Sequence, residues 1–325
     1  MWHTLAMLHR RLFLAAPAAL AATGARAQST ESFASYVAEL RGLARKAGIS
    51  QGTIDRALGH VQLIQRAIDL DRNQPESKLT WAQYRMRIVN DQRIALGRKL
   101  YAQHRALLAR VTQRYGVEPG VIMGIWALES NYGADSGKFP IVDSLVTLAW
   151  EGRRRAFFQS EAIDALKVLD RGDISLEKMV GSYAGAMGQT QFMPDSVLKY
   201  SVDFNGDGRR DLWSDMGDIF ASTANYLARE GWQADLSWGR PVVLPPGFDT
   251  SQSGHAKRRS LAEWKPTGLP IPALPDRTIV SVVLPGGAGE EAFLAFWPNY
   301  KALRAYNPPD KYCLSVGLLG NAITA

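Results

Sequence analysis

The sequence has little of several features that would point to particular protein classes. It contains one cysteine, Cys313, so no disulfide can form within the chain. Its longest apolar run, residues 12–22, is about 11 residues long, too short for a helix to span a bilayer. Internal repeats, low-complexity tracts and heptad arrays are also absent from the sequence, which excludes solenoids and coiled coils.

The excess of basic over acidic residues is mild, and histidine is sparse. The chain carries 38 basic and 31 acidic residues, and without its first 27 residues it would carry 35 and 31. A nucleic-acid-binding protein is expected to show a concentrated basic face, so nucleic acid is not predicted as a partner. His60, His104 and His255 are scattered along the chain. This scatter argues against a zinc site or a Ser-His-Asp triad.

The N-terminus has the three parts of a secretory signal. Arg10 and Arg11 form a charged region, residues 12–22 an apolar region, and Ala25-Arg26-Ala27 a small-x-small cleavage site before Gln28. We therefore predict a signal peptide at 1–27 and a periplasmic mature protein. The arginine pair resembles a twin-arginine signal, so Tat-like and Sec export both stay open. No cysteine stands directly after the apolar run, so no lipoprotein anchor is expected. A buried N-terminal helix is the alternative interpretation.

Hydrophobic spacing predicts a mainly helical chain with a few strands. A stripe at three- and four-residue spacing indicates an early helix, formed by Phe33, Tyr36, Val37, Leu40 and Leu43. Helical patterning continues to about residue 114, with a polar, proline-containing break at 73–77. From 240 to 299 proline is dense, and a β-branched run at 278–284 indicates a strand. Residues 311–320 are predicted to form the last helix of the chain.

Glu129 lies at the end of an apolar helical segment. Pro119 suits the first turn of a helix, residues 121–128 are almost entirely apolar, and Gly133 is placed to end the helix. Partial burial and the negative end of the helix dipole would both raise the pKa of a glutamate there. A general acid at neutral pH requires such a raised pKa. The alternative is a solvated glutamate at a frayed helix end.

Five short motifs accompany this glutamate in a fixed order. They are W-A-Q-Y at 81–84, E-S-N-Y-G at 129–133, G-S-Y-A-G-A-M-G-Q-T-Q-F-M-P at 181–194, Asn225-Tyr226, and Tyr306-Asn307 with Tyr312 after it. In this order they resemble the motifs of the B-type lytic murein (peptidoglycan) transglycosylase family. The resemblance extends from about residue 31 to the end of the chain.

The resemblance implies an α+β, mainly helical fold. It would have a lysozyme-like catalytic core, an EF-hand-like loop and a small strand-bearing C-terminal subdomain. Within a catalytic domain at 28–325, we expect a helical part at 28–115, the core at about 116–235 plus 300–325, and the β-containing subdomain at about 240–299.

The resemblance also implies the chemistry. Glu129 would protonate the oxygen of the MurNAc-β-1,4-GlcNAc bond, with the muramoyl N-acetyl group assisting at C1. It would then act as base on the C6 hydroxyl, forming 1,6-anhydro-MurNAc without water, so the enzyme would be a lyase. No cofactor is required for that chemistry. A two-carboxylate muramidase, with Asp135, Asp143 or Glu151 as the second acid, stays open. So does a non-catalytic glycan-binding protein.

Candidate sugar contacts come from the same motifs. Gln189 and Gln191 can each donate and accept, as sugar hydroxyl and N-acetyl groups require. The resemblance favours Gln191 as a substrate contact and Ser182 as the group that orients the Glu129 carboxylate. Its other predicted substrate-binding residues are Tyr84, Tyr226, Tyr306, Asn307 and Tyr312. A core role is the alternative for the tyrosines, and a tight structural turn packed by Met187, Phe192 and Met193 is the alternative for the glycine-rich motif.

An acidic loop follows the glycine-rich motif. Asp203, Asn205 and Asp207 occupy positions 1, 3 and 5 of an EF-hand calcium loop with Gly208 at position 6, but Ser214 replaces the usual glutamate at position 12. The resemblance implies that Arg209 contributes its backbone carbonyl and that Asp218 closes the loop. We expect a structural Ca²⁺ there. An Asx/Gly turn without metal is the alternative.

The predicted partners follow from the resemblance. They are peptidoglycan glycan strands, with proteins of cell-wall synthesis as further candidates, and the enzyme is expected to act as a monomer. The sequence leaves open whether cleavage occurs at chain ends or in chain interiors.

Overall fold

A computed structural model describes residues 31–73 and 79–325 of the chain. The predicted signal peptide at 1–27 lies outside the described residues, as does most of the predicted break at 73–77. Helices dominate the described ranges, as the sequence predicts. None of these helices combines the length and apolar character that crossing a membrane requires.

The helices have the following bounds: α1 (Phe33–Lys46), α2 (Gln51–Leu58), α3 (Gln65–Arg72), α4 (Trp81–Ile88), α5 (Asp91–Tyr115), α6 (Pro119–Ser130), α7 (Ile141–Glu151), α8 (Arg155–Arg171), α9 (Pro194–Tyr200), α10 (Met216–Arg229), α11 (Leu261–Trp264), α12 (Asn299–Tyr306) and α13 (Asp310–Thr324). The strands are β1 (Phe139–Pro140), β2 (Val180–Gly181), β3 (Gly239–Val242), β4 (Arg259–Ser260), β5 (Ile279–Val283) and β6 (Ala292–Phe296).

The chain divides into two units, and the first contains the described residues 31–73 and 129–222. Helices α7 and α8 pack together at its centre, with α1 on both, α3 on α7, and α2 and α9 on α8. The predicted stripe of α1 provides part of this core, since Tyr36, Leu40 and Ala44 are buried. Strands β1 and β2 form a small antiparallel pair in this unit.

The second unit contains the described residues 79–128 and 223–325. Helix α13 packs against α4, α5 and α12. A four-stranded antiparallel sheet of order β3-β6-β5-β4 forms the strand-bearing part. The predicted strand at 278–284 is β5. Its side chains join a hydrophobic cluster made of Leu236, Leu261, Trp264, Leu269, Val280, Val282, Leu294 and Phe296.

The sheet register explains how β5 and β6 form one face of that cluster. Val280 lies opposite Phe296 and Val282 opposite Leu294. Residues two apart in a strand point to the same face, so both pairs turn toward the same core. The sheet is therefore held by cross-strand packing as well as by its backbone hydrogen bonds.

Small residues allow α6 and α13 to approach within the second unit. A Cβ on Gly124 would lie 3.1 Å from the carbonyl carbon of Val316, and a Cβ on Gly120 would lie 2.8 Å from the carbonyl oxygen of Gly320. No side chain fits at these distances, so glycine is required on the side of α6 that faces α13. This packing fixes the helix whose last turn carries Glu129.

We expect Gly124→Ala to lower the free energy of unfolding by about 1–3 kcal/mol, because the added methyl overpacks the α6–α13 contact. Urea unfolding measures the change. Gly42→Ala is the matched control, because Gly42 lies inside α1 with no atom within 4 Å of an added Cβ. Removing a mid-helix glycine at an open position should stabilise the protein by about 0.5–1 kcal/mol. Equal effects of the two substitutions would contradict the packing account.

Candidate active site

Glu129 is buried at the C-terminal end of α6. The helix runs from Pro119 to Ser130, as the sequence predicts, and Glu129 is only 5% exposed. The Ser130 hydroxyl accepts a hydrogen bond from the Gly133 N–H at 3.1 Å, and the Ser130 carbonyl accepts one from the Asp135 N–H at 2.8 Å. Gly133 has φ of +85°. The helix end is therefore a closed turn, and the alternative of a frayed, solvated glutamate is wrong for this structure.

The glycine-rich motif starts from a strand pair that the sequence does not reveal. Val180 pairs with Pro140 and Gly181 with Phe139, so the motif begins beside the segment that follows α6. At Gly137, where φ is +91°, an added Cβ would lie 2.7 Å from the backbone nitrogen of Ser182. The two backbones approach at a distance that only glycine permits. Strands of two residues have no periodicity from which a sequence could predict them.

Ser182 is buried within a tight turn of the glycine-rich motif. Its N–H donates to the Ala186 carbonyl at 2.8 Å, and its hydroxyl oxygen accepts from the Ala186 N–H at 2.9 Å. A serine hydroxyl that accepts one bond retains a proton to donate. The predicted role of Ser182, donation to the Glu129 carboxylate, uses that proton and stays a prediction.

Gln191 has an unusual backbone and an unusual side-chain environment. Its φ is +54°, a region that a residue other than glycine enters at a cost. Its Nε2 donates to the carbonyls of Ser136, at 2.8 Å, and of Gly188. These two acceptors fix the orientation of the amide. Its Oε1 is buried and has no hydrogen-bond partner in the described part of the chain. The arrangement presents an acceptor suited to an N–H or O–H of a ligand.

The same motif also has a structural function. Met187 and Phe192 are fully buried, and the Met187 N–H donates to the Phe192 carbonyl at 2.8 Å. The structural alternative therefore describes these two side chains well. Gln189, which the sequence offers as a sugar contact, instead donates its side-chain N–H to the carbonyl of Trp213 at 2.8 Å. Trp213 is 24 residues away in the chain, so no local sequence pattern indicates this hydrogen bond.

The other predicted substrate-binding residues belong to the second unit, and all are buried: Tyr84, Tyr226, Tyr306, Asn307 and Tyr312. The rings of Tyr226 and Tyr306 have centroids 4.8 Å apart, and the Tyr226 hydroxyl donates to the Ala305 carbonyl at 2.7 Å. Such burial supports the alternative of a core role for the rings. Substrate binding by these residues stays a prediction.

The carboxylates considered as a second catalytic acid have other surroundings. Glu151 forms an ion pair with Arg72 at 2.8 Å and accepts a hydrogen bond from the Arg153 N–H at 3.0 Å. Burial raises the pKa of Asp143, against a backbone hydrogen bond from Gln62 that lowers it. Glu151 is therefore committed to a structural ion pair.

The acidic loop folds around its own carboxylates. Asp203 accepts hydrogen bonds from the N–H groups of Gly206 (2.6 Å), Asp207 (3.1 Å) and Gly208 (2.8 Å). Desolvation raises the pKa of Asp203, but these backbone donors outweigh it and the pKa is lowered overall. The Asn205 oxygen accepts from the Asp207 N–H at 2.8 Å. The loop thus places the side-chain oxygens of positions 1 and 3 along one short stretch of backbone.

Asp218 closes the loop through both carboxylate oxygens. Oδ1 accepts from the Phe204 N–H at 2.7 Å, and Oδ2 accepts from the Asp211 N–H at 2.8 Å. Burial raises its pKa to about 6; Asp215 and Asp203 add to this rise, whereas the two N–H donors oppose it. A buried acid among acids is an arrangement that a bound cation would relieve. The donor set consists of oxygens, which suits Ca²⁺.

In residues 31–73 and 79–325, no group of three or more His, Cys, Asp or Glu side chains is placed to hold a metal ion. The predicted calcium ligands also include the Asn205 amide and the Arg209 backbone carbonyl. Cys313 is completely buried, and burial raises the pKa of its thiol well above the usual value. It is therefore not an accessible nucleophile or ligand.

A buried glutamate at a helix end, followed by a turn that packs against a glycine-rich motif, is the arrangement expected of a lysozyme-like enzyme. Comparison with known proteins agrees. Residues 32–321 match the model of the transglycosylase SLT domain family. Membrane-bound lytic murein transglycosylase B of Escherichia coli is 34% identical over 252 residues, which cover 75% of this chain and 67% of that protein.

Solved structures show the same likeness. SltB3 from Pseudomonas aeruginosa, in complex with NAG-anhNAM-pentapeptide, has a TM-score of 0.88 and 40% identity over 91% of this chain and 80% of its own. The Escherichia coli lytic transglycosylase Slt35, in complex with calcium, has a TM-score of 0.77 and 28% identity over 89% and 92% of the two chains. The chain belongs to the transglycosylase SLT domain family and is a B-type lytic murein transglycosylase.

We expect Asp218→Asn to lower the free energy of unfolding by about 1–3 kcal/mol, because an amide NH₂ would face one of the two loop N–H groups and leave it unsatisfied. Urea unfolding in the presence of EDTA measures this change without a metal contribution. Asp249→Asn is the matched control, since Asp249 also accepts two hydrogen bonds, from Ser251 and Gln252, but at an exposed position. Its effect should stay within about 0.5 kcal/mol. A similar loss in both variants would show that burial of Asp218 is unimportant.

Proposed function

We propose that Glu129 is both the general acid and the general base of the cleavage reaction. It protonates the oxygen that bridges MurNAc and GlcNAc while the muramoyl N-acetyl group assists at C1. The resulting carboxylate then takes the proton of the C6 hydroxyl, and that oxygen bonds to C1. The products are a free GlcNAc end and a 1,6-anhydro-MurNAc end. Protons balance within the cycle, and water is not consumed.

The burial of Glu129 is the observation that supports this proposal most directly. Removing a carboxyl group from water disfavours its charged form, and the helix end adds partial negative charge. A neutral acid is needed for the first step. The same burial limits the access of water, which would otherwise compete with the C6 hydroxyl at C1. One carboxyl group is then sufficient, because the N-acetyl group takes the place of a second carboxylate.

Ser182 and Gln191 are proposed as the polar groups of the first unit that serve Glu129 and the sugar. The retained proton of the Ser182 hydroxyl supports donation to the Glu129 carboxylate, which would hold its orientation. The unsatisfied Oε1 of Gln191 supports acceptance of a sugar hydroxyl or N-acetyl N–H. Tyr84, Tyr226, Tyr306, Asn307 and Tyr312 are proposed as further substrate contacts on the resemblance of their motifs alone, since all five side chains are buried.

A two-carboxylate muramidase is the second candidate function. It differs in one chemical outcome, since hydrolysis gives reducing ends that are heavier than anhydro ends by one water. The ion pair of Glu151 with Arg72 disfavours that candidate for one of its three possible second acids.

We expect Glu129→Gln to reduce the release of anhydro-muropeptides from purified sacculi by about 10²–10⁴-fold, because the amide can neither donate nor accept the catalytic proton. Mass spectrometry of the digests gives the rate and the identity of the ends. Asp135→Asn and Asp143→Asn are the matched controls and should keep anhydro products at wild-type rates. Reducing ends in the wild-type digest, or loss of activity in either control, would favour the muramidase.

We further propose that the loop at 203–218 binds a structural Ca²⁺. The ligands would be Asp203, Asn205, Asp207, the carbonyl of Arg209 and Asp218. Slt35 has been solved in complex with calcium, and the hard oxygen donors of this loop fit the same ion. The ion would neutralise the acidic cluster around Asp218 and would take no part in proton transfer.

Calcium should therefore stabilise the fold without changing the chemistry. At about 100 times its dissociation constant, Ca²⁺ should raise the free energy of unfolding by about 2.7 kcal/mol relative to EDTA. Differential scanning calorimetry measures the shift. Asp203→Ala should remove the response, whereas Glu129→Gln should retain it in full. A calcium response that survives Asp203→Ala would place the ion elsewhere.

The location and architecture form part of the proposal. Peptidoglycan lies in the cell envelope, so an enzyme that cleaves it is proposed to act in the periplasm after export through the N-terminal segment. We propose that it acts as a monomer and that proteins of cell-wall synthesis are its candidate partners. The division into a helical part, a lysozyme-like core and a β-containing subdomain, with the bounds derived from the sequence, remains a proposal as well.

A further inference from the structure

The side chain of Gln189 occupies the space beside the turn that ends α6. A Cβ placed on Gly133 would lie 2.7 Å from the carboxamide carbon of Gln189, so the amide fills the position that a side chain would otherwise occupy. Gly133 in turn donates its N–H to the hydroxyl of Ser130, the residue after Glu129. The Gln189 amide thus lies directly against the turn that follows Glu129 at the end of α6.

Gln189 is held from its other side by the closing segment of the acidic loop. Its backbone N–H donates to the Leu212 carbonyl at 2.7 Å, and its Nε2 donates to the Trp213 carbonyl at 2.8 Å. The indole N–H of Trp213 donates to the Val180 carbonyl at 2.9 Å. Trp213 therefore binds Gln189 within the glycine-rich motif and Val180 directly before it, two points that are nine residues apart in the chain numbering.

The segment that carries these acceptors is itself fixed. The Asp211 N–H donates to the Asp218 carboxylate at 2.8 Å, and the Trp213 N–H donates to the Asp211 carboxylate at 2.8 Å. At Gly188 an added Cβ would lie 2.9 Å from the Leu212 carbonyl carbon, so the two backbones are in close contact. Trp213 is therefore anchored by a hydrogen bond of its own, and Leu212 by the close approach of its backbone to Gly188.

We propose that Gln189 is a positioning residue for Glu129 and that Trp213 holds Gln189 in place. The inference rests on the proposed catalytic role of Glu129. A proton donor must stay within about 0.5 Å of its productive position, and a displacement of about 1 Å can reduce the rate about 10²-fold. Removal of the Gln189 amide frees the turn at Gly133 to move, and Glu129 moves with it.

Direct binding of a sugar by Gln189 is the competing explanation. One Nε2 proton of Gln189 is already donated to the Trp213 carbonyl, and the amide oxygen faces Gly133. A direct contact would chiefly change substrate affinity, whereas a positioning residue changes the rate of the bound complex. The two explanations therefore differ in a kinetic quantity that can be measured.

The first experiment compares Gln189→Ala and Gln189→Glu with the wild type on soluble NAG–NAM oligomers. We expect kcat to fall about 10–10²-fold in both variants with KM changed less than about twofold. Both lose the donor to Trp213, although glutamate keeps the size of the side chain. A raised KM at unchanged kcat, or unchanged kinetics, would overturn the proposal.

The second experiment is a double-mutant cycle between Gly133 and Gln189. Gly133→Ala should reduce kcat more than about 10-fold because its methyl meets the Gln189 amide. In the Gln189→Ala background the same substitution should cost less than about threefold, since the obstacle is gone. Gly172→Ala is the matched control, with φ of +81° and no atom within 4 Å of an added Cβ. It should leave kcat unchanged. Equal costs of Gly133→Ala in both backgrounds would overturn the proposal.

Trp213→Phe tests the second half of the proposal and keeps the aromatic ring. Loss of its indole donor should lower kcat about three- to tenfold and leave KM unchanged. Trp150→Phe is the matched control, because Trp150 also donates its indole N–H to a backbone carbonyl, that of Glu31, at 2.8 Å. An equal fall of kcat in both variants would mean a general loss of stability. Full activity in Glu129→Gln would refute the proposed function itself, independently of Gln189.

Discussion

The backbone that follows α6 and the backbone of the glycine-rich motif approach each other more closely than side chains allow. Gly137 lies against Ser182, and Gly133 lies against the Gln189 amide. The geometry around Glu129 depends on this approach, because it brings the turn after the helix against the motif. Non-glycine residues with positive φ, Asn131 and Gln191 among them, occur in the same two segments. Such conformations persist where surrounding hydrogen bonds over-determine them.

Glycine alone would make these segments loose, so the hydrogen bonds must supply the rigidity. Ser182 and Ala186 bind each other twice, and Gln191 binds the carbonyl of Ser136. Each bond joins the motif to itself or to the segment after α6. The Glu129 carboxyl group gains support from outside its own helix in this way, since α6 ends one residue later at Ser130.

Much of the fold could be predicted from local sequence signals. Pro119 and Gly133 mark the two ends of the glutamate helix, and an all-apolar interior predicts its burial. The β-branched run at 278–284 predicts β5. This prediction is also local, because alternation and β-branching are properties of residues that are neighbours in the chain. Family motifs then indicate Glu129, Ser182 and Gln191. These signals share one property, which is that the residues that carry them are close in the chain.

The parts of the fold and of the site that the sequence does not predict depend on residues that are distant in the chain. Strands β1 and β2 have two residues each, so only their pairing across about 40 positions defines them. The sequence offered Gln189 as a sugar contact because an amide can bind a sugar or a backbone equally well. Its partner is the backbone carbonyl of Trp213. Every residue type has such a carbonyl, so the sequence does not indicate this contact. The tyrosines of the second unit show the same limit, because an aromatic residue in a motif can be core or binding surface.

The acidic loop is connected to the turn that follows Glu129 by a series of contacts. Asp218 holds the backbone at Phe204 and Asp211, and the residues directly after Asp211 provide the acceptors for Gln189. A series of contacts therefore leads from Asp218 through Asp211, Trp213 and Gln189 to the turn at Gly133. The proposed ion would act at the Asp218 end of this series, and the proton transfers proposed for Glu129 would take place at the other end. The two proposals are therefore compatible within one unit.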